Sequence, residues 1–312
     1  MINVLIMIAV SEEDRERFLS IPGYDCRFVR RKDVSEEDLA WAEAIIGQPD
    51  PSALRYAEKL CWLQTNSAGV NRYLDLPEGI LLSNAYGSYG EGIGEFLTAL
   101  TLASQKNLYG YDAHQKKHHW EAITFPSPLS EKKVLSVGMG HIGREYLKRM
   151  AFLGAKCYGV RKGRHEKPDY VEEVYTTEEL PDILKDMDIV ALSLPETKET
   201  IHLFNEEMLG KMKEDAVLLN IGRGSAIDTD ALVKCCQEGK LKDVFLDVHE
   251  IEPLPENHPL WDLPQVHITP HIAGRYEDPV NKERVLKVIL ENMERYRDGR
   301  GLIHTVEAKK GY

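Results

Sequence analysis

The sequence lacks the features of secreted disulfide-rich proteins, membrane-spanning proteins and nucleic-acid-binding proteins. Its five cysteines show no C-x-x-C spacing, and their odd number and scatter indicate reduced thiols in a cytoplasmic protein. No stretch reaches the roughly 18 apolar residues that a membrane span needs. Because a net charge of −12 repels nucleic acid and anionic lipid, we expect neither nucleic acid nor membrane as a partner.

The N-terminus also lacks the basic segment that opens a signal peptide. Residues 1–10 are apolar, and a charged run at residues 11–17 follows at once, which predicts a buried strand followed by a helix. An apolar content of 43% with 29% charged residues is typical of globular proteins. The length of 312 residues exceeds that of one ordinary core, so two domains are expected.

Short apolar runs alternate with amphipathic segments along the chain, a pattern that predicts parallel sheets covered on both faces. The predicted strands are residues 4–10, 44–46, 61–65, 80–83, 134–137, 155–160, 189–194, 217–220, 244–248 and 266–269. The predicted helices are residues 12–19, 52–59, 92–103 (continuing toward 110), 142–153, 206–211, 229–238 and 279–298. The terminal helix is expected to pack on the first domain, which would make that domain discontinuous.

A glycine-rich turn follows the apolar run of residues 134–137. Its G-x-G-x-x-G sequence consists of Gly138, Met139, Gly140, His141, Ile142 and Gly143. The first glycine permits a tight turn, the second lets a pyrophosphate approach the backbone, and the third allows close helix packing. The helix N-terminus then offers N–H groups and a positive dipole end to the phosphates. We therefore expect these six residues to bind a dinucleotide.

The residues after the next strand indicate which dinucleotide is bound. An acidic residue about 20 positions after the glycines holds the ribose of NAD, but this sequence has Arg161, Lys162 and Arg164 there. Cationic side chains can hold the 2′-phosphate of NADP. The alternative is an ordinary solvated basic loop. We expect NADP as the cofactor, with NAD as a second possibility.

Three later strand ends carry residues suited to catalysis. Arg223 follows one strand, Glu252 lies in the loop after the next, and His271 follows the last. Ligands of open α/β sheets bind beyond the carboxyl ends of strands. The Arg223 fork suits a carboxylate or keto oxygen, His271 can exchange a proton with a ketone, and Glu252 can fix the His271 tautomer. This chemistry requires no metal, so none is expected.

With these motifs in place, the chain resembles the D-isomer-specific 2-hydroxyacid dehydrogenase family. The matching segments occur in order and with the family spacing: residues 64–70, 84–95, 138–143, 193–200, 220–224, 247–261 and 270–271. The resemblance implies two α/β domains with parallel sheets. A Rossmann dinucleotide-binding domain of residues 99–275 would be inserted in a flavodoxin-like substrate domain of residues 1–98 and 276–312. It also implies a homodimer.

The resemblance also implies roles for individual residues. Arg223 would bind substrate, and Glu252 and His271 would form the proton relay. Asp247 would contact the nicotinamide amide. The implied substrate contacts also include His271 and the backbone amides of Ala68, Gly69 and Val70, and the implied cofactor contacts include Leu194, Pro195 and Ile221.

Some residues depart from the family pattern. His249 stands where the family usually has phenylalanine, and Arg275 where a small or polar residue is commoner.

Within the family, the enzymes nearest to this chain are the glyoxylate and hydroxypyruvate reductases, which reduce small 2-keto acids. NADPH suits this reductive direction. The competing hypothesis is a non-catalytic NAD(P)-sensing protein on the same fold. Roles stay open for Arg275, Trp120 and the histidine cluster of His114, His118 and His119.

Overall fold

The computed structural model describes residues 1–123, 128–163 and 167–306. The strands are β1 (Ile2–Ile6), β2 (Tyr24–Phe28), β3 (Ala44–Ile46), β4 (Trp62–Gln64), β5 (Leu81–Ser83), β6 (Lys133–Val137), β7 (Lys156–Val160), β8 (Glu173–Tyr175), β9 (Ile189–Leu192), β10 (Ala216–Asn220), β11 (Leu241–Leu246) and β12 (Val266–Ile268). The α-helices are α1 (Glu12–Leu19), α2 (Glu36–Trp41), α3 (Gly90–Gln105), α4 (Leu108–Lys116), α5 (His141–Phe152), α6 (Leu180–Ile183), α7 (Glu206–Lys211), α8 (Thr229–Gln237) and α9 (Pro279–Arg297).

The chain divides into two units. The first contains Met1–Tyr89 and Arg275–Tyr312, and the second contains Gly90–Gly274. The predicted boundary after residue 98 falls inside α3. The structure keeps this helix in the second unit because α3 packs along α5, where the Thr101 and Tyr146 hydroxyls are 2.8 Å apart.

The first unit is built on a parallel sheet with the strand order β2-β1-β3-β4-β5, which is the flavodoxin-like order. Its core lies on the sheet and includes fully buried Leu5, Ile45 and Leu63. The C-terminal helix α9 belongs to this unit. Tyr24 donates its hydroxyl to the Met293 carbonyl at 2.5 Å.

A buried polar network fixes α9 beside the centre of this sheet. Asn292 donates from Nδ2 to Oε1 of Gln64 at 2.7 Å, and the Ser83 hydroxyl donates to the same oxygen at 2.6 Å. Trp62 donates from Nε1 to the Ser83 hydroxyl at 2.9 Å. These polar atoms are buried and mutually satisfied, so the network specifies where the helix docks.

The second unit contains a parallel sheet with the order β12-β11-β10-β9-β6-β7-β8. Its central strands β9 and β10 are apolar and buried on both faces, as Val217, Leu218 and Leu219 of β10 show. The strand order reverses between β6 and β9, and this reversal opens a crevice at the carboxyl ends of the two strands. The sequence prediction of α/β architecture with two parallel sheets, one of them a Rossmann sheet, is confirmed.

Some predicted elements were wrong in detail. The helix predicted at 52–59 is a 3-10 helix, Pro51–Tyr56. The long helix predicted to run from 92 toward 110 ends at Gln105, because Asn107 takes a left-handed backbone with φ of 51° and a second helix starts at Leu108. The edge strand β2 was not predicted, since its polar, half-exposed sequence lacks the apolar run of a central strand.

Candidate active site

The dinucleotide turn joins β6 to α5 at the sheet reversal. Gly138 has a φ of +105°, and a Cβ there would lie 2.6 Å from the Ser193 carbonyl oxygen. A Cβ on Gly143 would lie 2.0 Å from the Gly138 carbonyl oxygen. Gly140 is the N-cap of α5 and has no side chain to cap its first N–H groups. Both the crowding and the uncapped helix fit a bound pyrophosphate.

The other residues of the turn have packing roles in the structure. Met139 is buried against β7, where a Cβ on Gly159 would lie 2.4 Å from its sulfur. The His141 ring lies over α3, because a Cβ on Gly90 would be 1.8 Å from its Nδ1. Because both side chains pack against the protein, the predicted contact of Met139 and His141 with a dinucleotide is one made by their backbone, and it stays a prediction.

The basic residues follow β7, as predicted. The Arg161 N–H donates to the Tyr175 carbonyl at 3.1 Å, so its backbone continues the pairing of β7 with β8. Lys162 is exposed, with Nζ 3.6 Å from a carboxylate oxygen of Glu199. Arg164 lies outside the described residues. A cationic side chain therefore follows directly on the strand where NAD-binding sheets carry an acid.

The loops after β9 and β10 meet beside the dinucleotide turn. The Ser193 hydroxyl donates to the Gly138 carbonyl at 3.0 Å. A Cβ on Gly222 would be 2.7 Å from the Leu194 nitrogen, and Ile221 is buried. The structure thus brings Leu194 and Ile221 to the crevice where the turn lies, and Pro195 continues the first of these loops.

His271 and Glu252 form a hydrogen-bonded pair. Nδ1 of His271 lies 2.8 Å from Oε2 of Glu252, and both side chains are partly exposed. The other Glu252 oxygen accepts the His249 N–H at 3.0 Å. Burial acts to raise the pKa of Glu252, but the hydrogen bonds from His271 and His249 outweigh it, so the pKa lies below its usual value. Glu252 is thus an anionic partner for the imidazole.

Asp247 anchors the loop that carries His271. Its buried carboxylate accepts the Thr269 hydroxyl at 2.6 Å and the N–H groups of Ile272 and Ala273 at 2.9 Å each. Its carbonyl accepts the His271 N–H at 2.9 Å. These bonds hold His271 with a φ of +52°, a left-handed backbone that is uncommon for residues other than glycine. The predicted contact of Asp247 with a nicotinamide amide stays a prediction.

Arg223 follows β10 with an extended backbone. Asn220 donates from Nδ2 to the Arg223 carbonyl at 3.0 Å, and the Arg223 Nη1 donates to the Gly222 carbonyl at 2.7 Å. Burial lowers the pKa of the guanidinium, and the negative charges of Glu196 and Glu252 act in the opposite direction. Arg223 and the His271–Glu252 pair are therefore electrostatically coupled within one unit.

The predicted carboxylate loop lies in the first unit, after β4. The backbone carbonyls of this loop accept hydrogen bonds. Asn84 donates from Nδ2 to the Ala68 carbonyl at 2.8 Å, and the Ser67 hydroxyl donates to the Gly69 carbonyl at 2.8 Å. Val70 is buried, and its carbonyl accepts the Tyr73 N–H at 2.8 Å. The N–H groups of Ala68, Gly69 and Val70 donate to no atom of the described residues.

The comparisons with known proteins identify the family. Residues 98–273 match the model of the D-isomer specific 2-hydroxyacid dehydrogenase NAD binding domain. The chain is also 35% identical over 237 residues to a glyoxylate reductase of Thermofilum pendens, an alignment that spans 72% of this chain and 69% of that protein. The chain belongs to the D-isomer specific 2-hydroxyacid dehydrogenase family.

Solved structures of this family have the same fold as the chain. One is an NADPH-dependent glyoxylate/hydroxypyruvate reductase from Sinorhizobium meliloti in complex with NADP and sulfate, with 25% identity, a TM-score of 0.87 and 100% of both chains covered. Another is a D-isomer specific 2-hydroxyacid dehydrogenase from Xanthobacter autotrophicus in complex with NADPH and MES, with 25% identity, a TM-score of 0.87 and 99% of each chain covered. The resemblance inferred from the motifs is confirmed.

Sequence reasoning missed several residues that build the site of this dehydrogenase. Asn220 and Thr269 hold the Arg223 and His271 loops, and the His249 backbone holds Glu252. Their signal was only a polar residue at the end of a buried strand. The bond from Thr269 to Asp247 joins residues 22 positions apart, so no local pattern in the sequence reveals it.

Among the described residues, neither the histidine cluster nor Trp120 makes a hydrogen bond or ion pair with Arg223, Glu252 or His271. The His114 and His119 rings are 4.9 Å apart, and the Trp120 side chain is fully exposed. Arg275 begins the return to the first unit, where its carbonyl accepts Nδ2 of Asn281 at 3.1 Å. Across the described ranges, no group of three histidine, cysteine or acidic side chains could hold a metal ion, and no helix is long and apolar enough to cross a membrane.

Proposed function

We propose that the chain is an NADP-dependent dehydrogenase that reduces small 2-keto acids to D-2-hydroxy acids, with glyoxylate and hydroxypyruvate as substrates. The observation that carries this proposal is the 2.8 Å contact between His271 and Glu252 in the same unit as the dinucleotide turn. The named activity of the Thermofilum pendens relative supports glyoxylate, and that of the Sinorhizobium meliloti enzyme supports both substrates.

The residues of the chain divide the reaction among them. A bound nicotinamide coenzyme supplies the hydride. His271, held at Nδ1 by Glu252, donates the proton to the keto oxygen from its other nitrogen. The Arg223 guanidinium stabilises the negative charge that develops on that oxygen. The free N–H groups of Ala68, Gly69 and Val70 donate hydrogen bonds to the oxygens of the substrate carboxylate.

The preference for NADP rests on the residues after β7. An acidic side chain there would repel the 2′-phosphate, whereas Arg161 and Lys162 attract it, and Arg164 extends the same charge. The NADP and NADPH bound to the two solved relatives support the same cofactor. NAD is the weaker alternative.

The test of this function is a steady-state panel of 2-keto acids with NADPH and with NADH, on the wild type and on Arg161→Asp. We expect turnover of glyoxylate and hydroxypyruvate with NADPH. We also expect Arg161→Asp to raise the KM for NADPH by roughly 10-fold or more, because a charge-assisted contact is replaced by repulsion. The KM for NADH should stay the same or fall.

The control for this test is Lys185→Asp, which makes a similar charge change at an exposed site of the same unit and should leave both KM values unchanged. Binding of NADPH without turnover of any 2-keto acid would contradict the proposal and favour the nucleotide-sensing alternative. An equal loss with NADPH and NADH in Arg161→Asp would contradict the NADP assignment.

We also propose a cytoplasmic homodimer. All five cysteines, which lie within the described residues, are free thiols, and this supports a reducing compartment. Exposed apolar side chains at Leu108, Tyr109, Trp120 and Ile123 of the second unit support self-association. Molar mass by light scattering tests the dimer, and a monomer at micromolar concentration would contradict it.

A further inference from the structure

Gln48 and Asn66 occupy equivalent places on neighbouring strands of the first unit. Strands β3 and β4 pair in parallel with Ile46 opposite Gln64, and Gln48 and Asn66 each follow two residues later. Gln48 donates from Nε2 to Oδ1 of Asn66 at 3.0 Å. Both residues lie at the carboxyl ends of the strands, where ligands of open α/β sheets bind.

A second contact fixes the backbone of Asn66. The Tyr89 hydroxyl donates to the Asn66 carbonyl. Tyr89 is buried, and burial raises the pKa of its hydroxyl, so the group stays a donor. The Tyr89 contact holds the backbone of Asn66, and the Gln48 contact holds its Oδ1, so Nδ2 lies on the side of the carboxamide that faces away from Gln48.

The loop that begins at Asn66 carries N–H groups that donate to no acceptor of the described residues. The Ser67 carbonyl accepts the Thr65 hydroxyl at 3.0 Å and the Ala85 N–H at 3.0 Å, and the carbonyls of residues 68–70 are taken as described above. In the described part of the chain, neither Nδ2 of Asn66 nor the N–H groups of residues 68–70 donate to the protein. Such a run of donors suits an anion.

We propose that the Asn66 carboxamide is a side-chain donor to the carboxylate of the 2-keto acid, and that Gln48 is the positioning residue that aims it. This inference rests on the proposed function. A carboxylate has two oxygens with about four acceptor sites. Three backbone N–H groups leave one of these sites for one N–H of the Asn66 amide, so a carboxylate can accept from all four groups.

The test compares Asn66→Ala and Asn66→Asp in steady-state assays with glyoxylate, pyruvate and hydroxypyruvate. Loss of a hydrogen bond to a charged group predicts that the KM for all three acids rises roughly 10- to 100-fold in Asn66→Ala. The KM for all three acids should rise further in Asn66→Asp, because the carboxylate of the new side chain repels that of the substrate. The KM for NADPH should stay within about twofold, a readout that a general folding defect would not spare.

Gln48→Met tests the positioning role because methionine keeps the length of the side chain and removes the donor. We expect a smaller rise of the KM for 2-keto acids with kcat little changed. In an Asn66→Ala background the substitution should add nothing, since it acts only through Asn66. Gln115→Met, on the exposed face of α4, is the matched control. Additive effects of Gln48→Met and Asn66→Ala would overturn the positioning role.

The outcomes separate this inference from the proposed function. A wild type that turns over no 2-keto acid refutes the proposed function itself. An active wild type with unchanged KM values in both Asn66 variants refutes the Asn66 inference alone. A loss confined to hydroxypyruvate also overturns it, because the carboxamide would then bind the 3-hydroxyl rather than the carboxylate that all three acids share.

Discussion

At the scale of single residues, the site depends on how Glu252 stays charged. Its two oxygens accept from the His271 ring and from the His249 backbone, and these contacts hold the pKa of the carboxyl below its usual range despite burial. At neutral pH the carboxylate is therefore ionised and fixes the Nδ1 side of the imidazole. No described residue bonds the other ring nitrogen of His271, so that atom is available for the proton transfer.

The His249 side chain, in contrast, makes no hydrogen bond that the site uses. Its Nε2 is buried without a partner among the described residues. Burial lowers the pKa of the ring, against the opposite effect of Glu252. In the unfolded chain a histidine takes up its proton at about pH 6.5. Below this pH the unfolded state binds more protons than the folded state, so His249 costs stability as the pH falls.

The variant His249→Phe should remove this pH-dependent cost and leave the fold intact, because phenylalanine fills a similar volume and carries no group that titrates. We expect the melting temperature of the variant minus that of the wild type to increase as the pH falls from about 7.5 to about 5.5. This window is set by the ordinary histidine pKa of about 6.5. Thermal melts across this range measure the difference. A difference that does not change with pH would contradict the assignment.

At the scale of elements, two loops after β11 and β12 are joined through one buried carboxylate. The sequence predicted both loops, because each follows a buried apolar strand and carries chemically useful residues. It did not predict that Asp247 holds the second loop in place, since that role depends on hydrogen bonds to residues 22 to 26 positions away. The break between α3 and α4 at Asn107 was missed for a different, local reason: asparagine tolerates both helical and left-handed backbones, so its presence does not predict a break.

Asp247→Asn tests this loop. An amide in place of the carboxylate offers one acceptor oxygen where two now accept, so at least one loop donor loses its partner. We expect destabilisation of roughly 1–3 kcal/mol and a fall in kcat of about 10-fold or more, because His271 loses its fixed position. Asp230→Asn, an exposed residue of α8, is the matched control. Unchanged melting temperature and kcat in Asp247→Asn would show that the loop does not depend on this carboxylate.

At the scale of the whole molecule, the chain builds two parallel sheets and returns to the first unit with α9. The glycine turn and the strand-end residues could be predicted because each is a local pattern tied to one βα connection. The sequence predicted that α9 packs on the first unit, but it did not predict where on that unit the helix docks. Its place is set by Asn292, Gln64 and Ser83, which meet in a buried network that no local pattern reveals.

The central claim is that His271 carries the proton in an NADPH-dependent reduction of 2-keto acids. The most direct test is kcat for NADPH oxidation with glyoxylate, measured on the wild type and on His271→Ala at saturating NADPH, with NADPH affinity measured separately by fluorescence. We predict that kcat falls by roughly 10²- to 10⁴-fold while NADPH affinity stays within about threefold, since the dinucleotide turn is untouched. Turnover by His271→Ala at a rate close to that of the wild type would contradict the account.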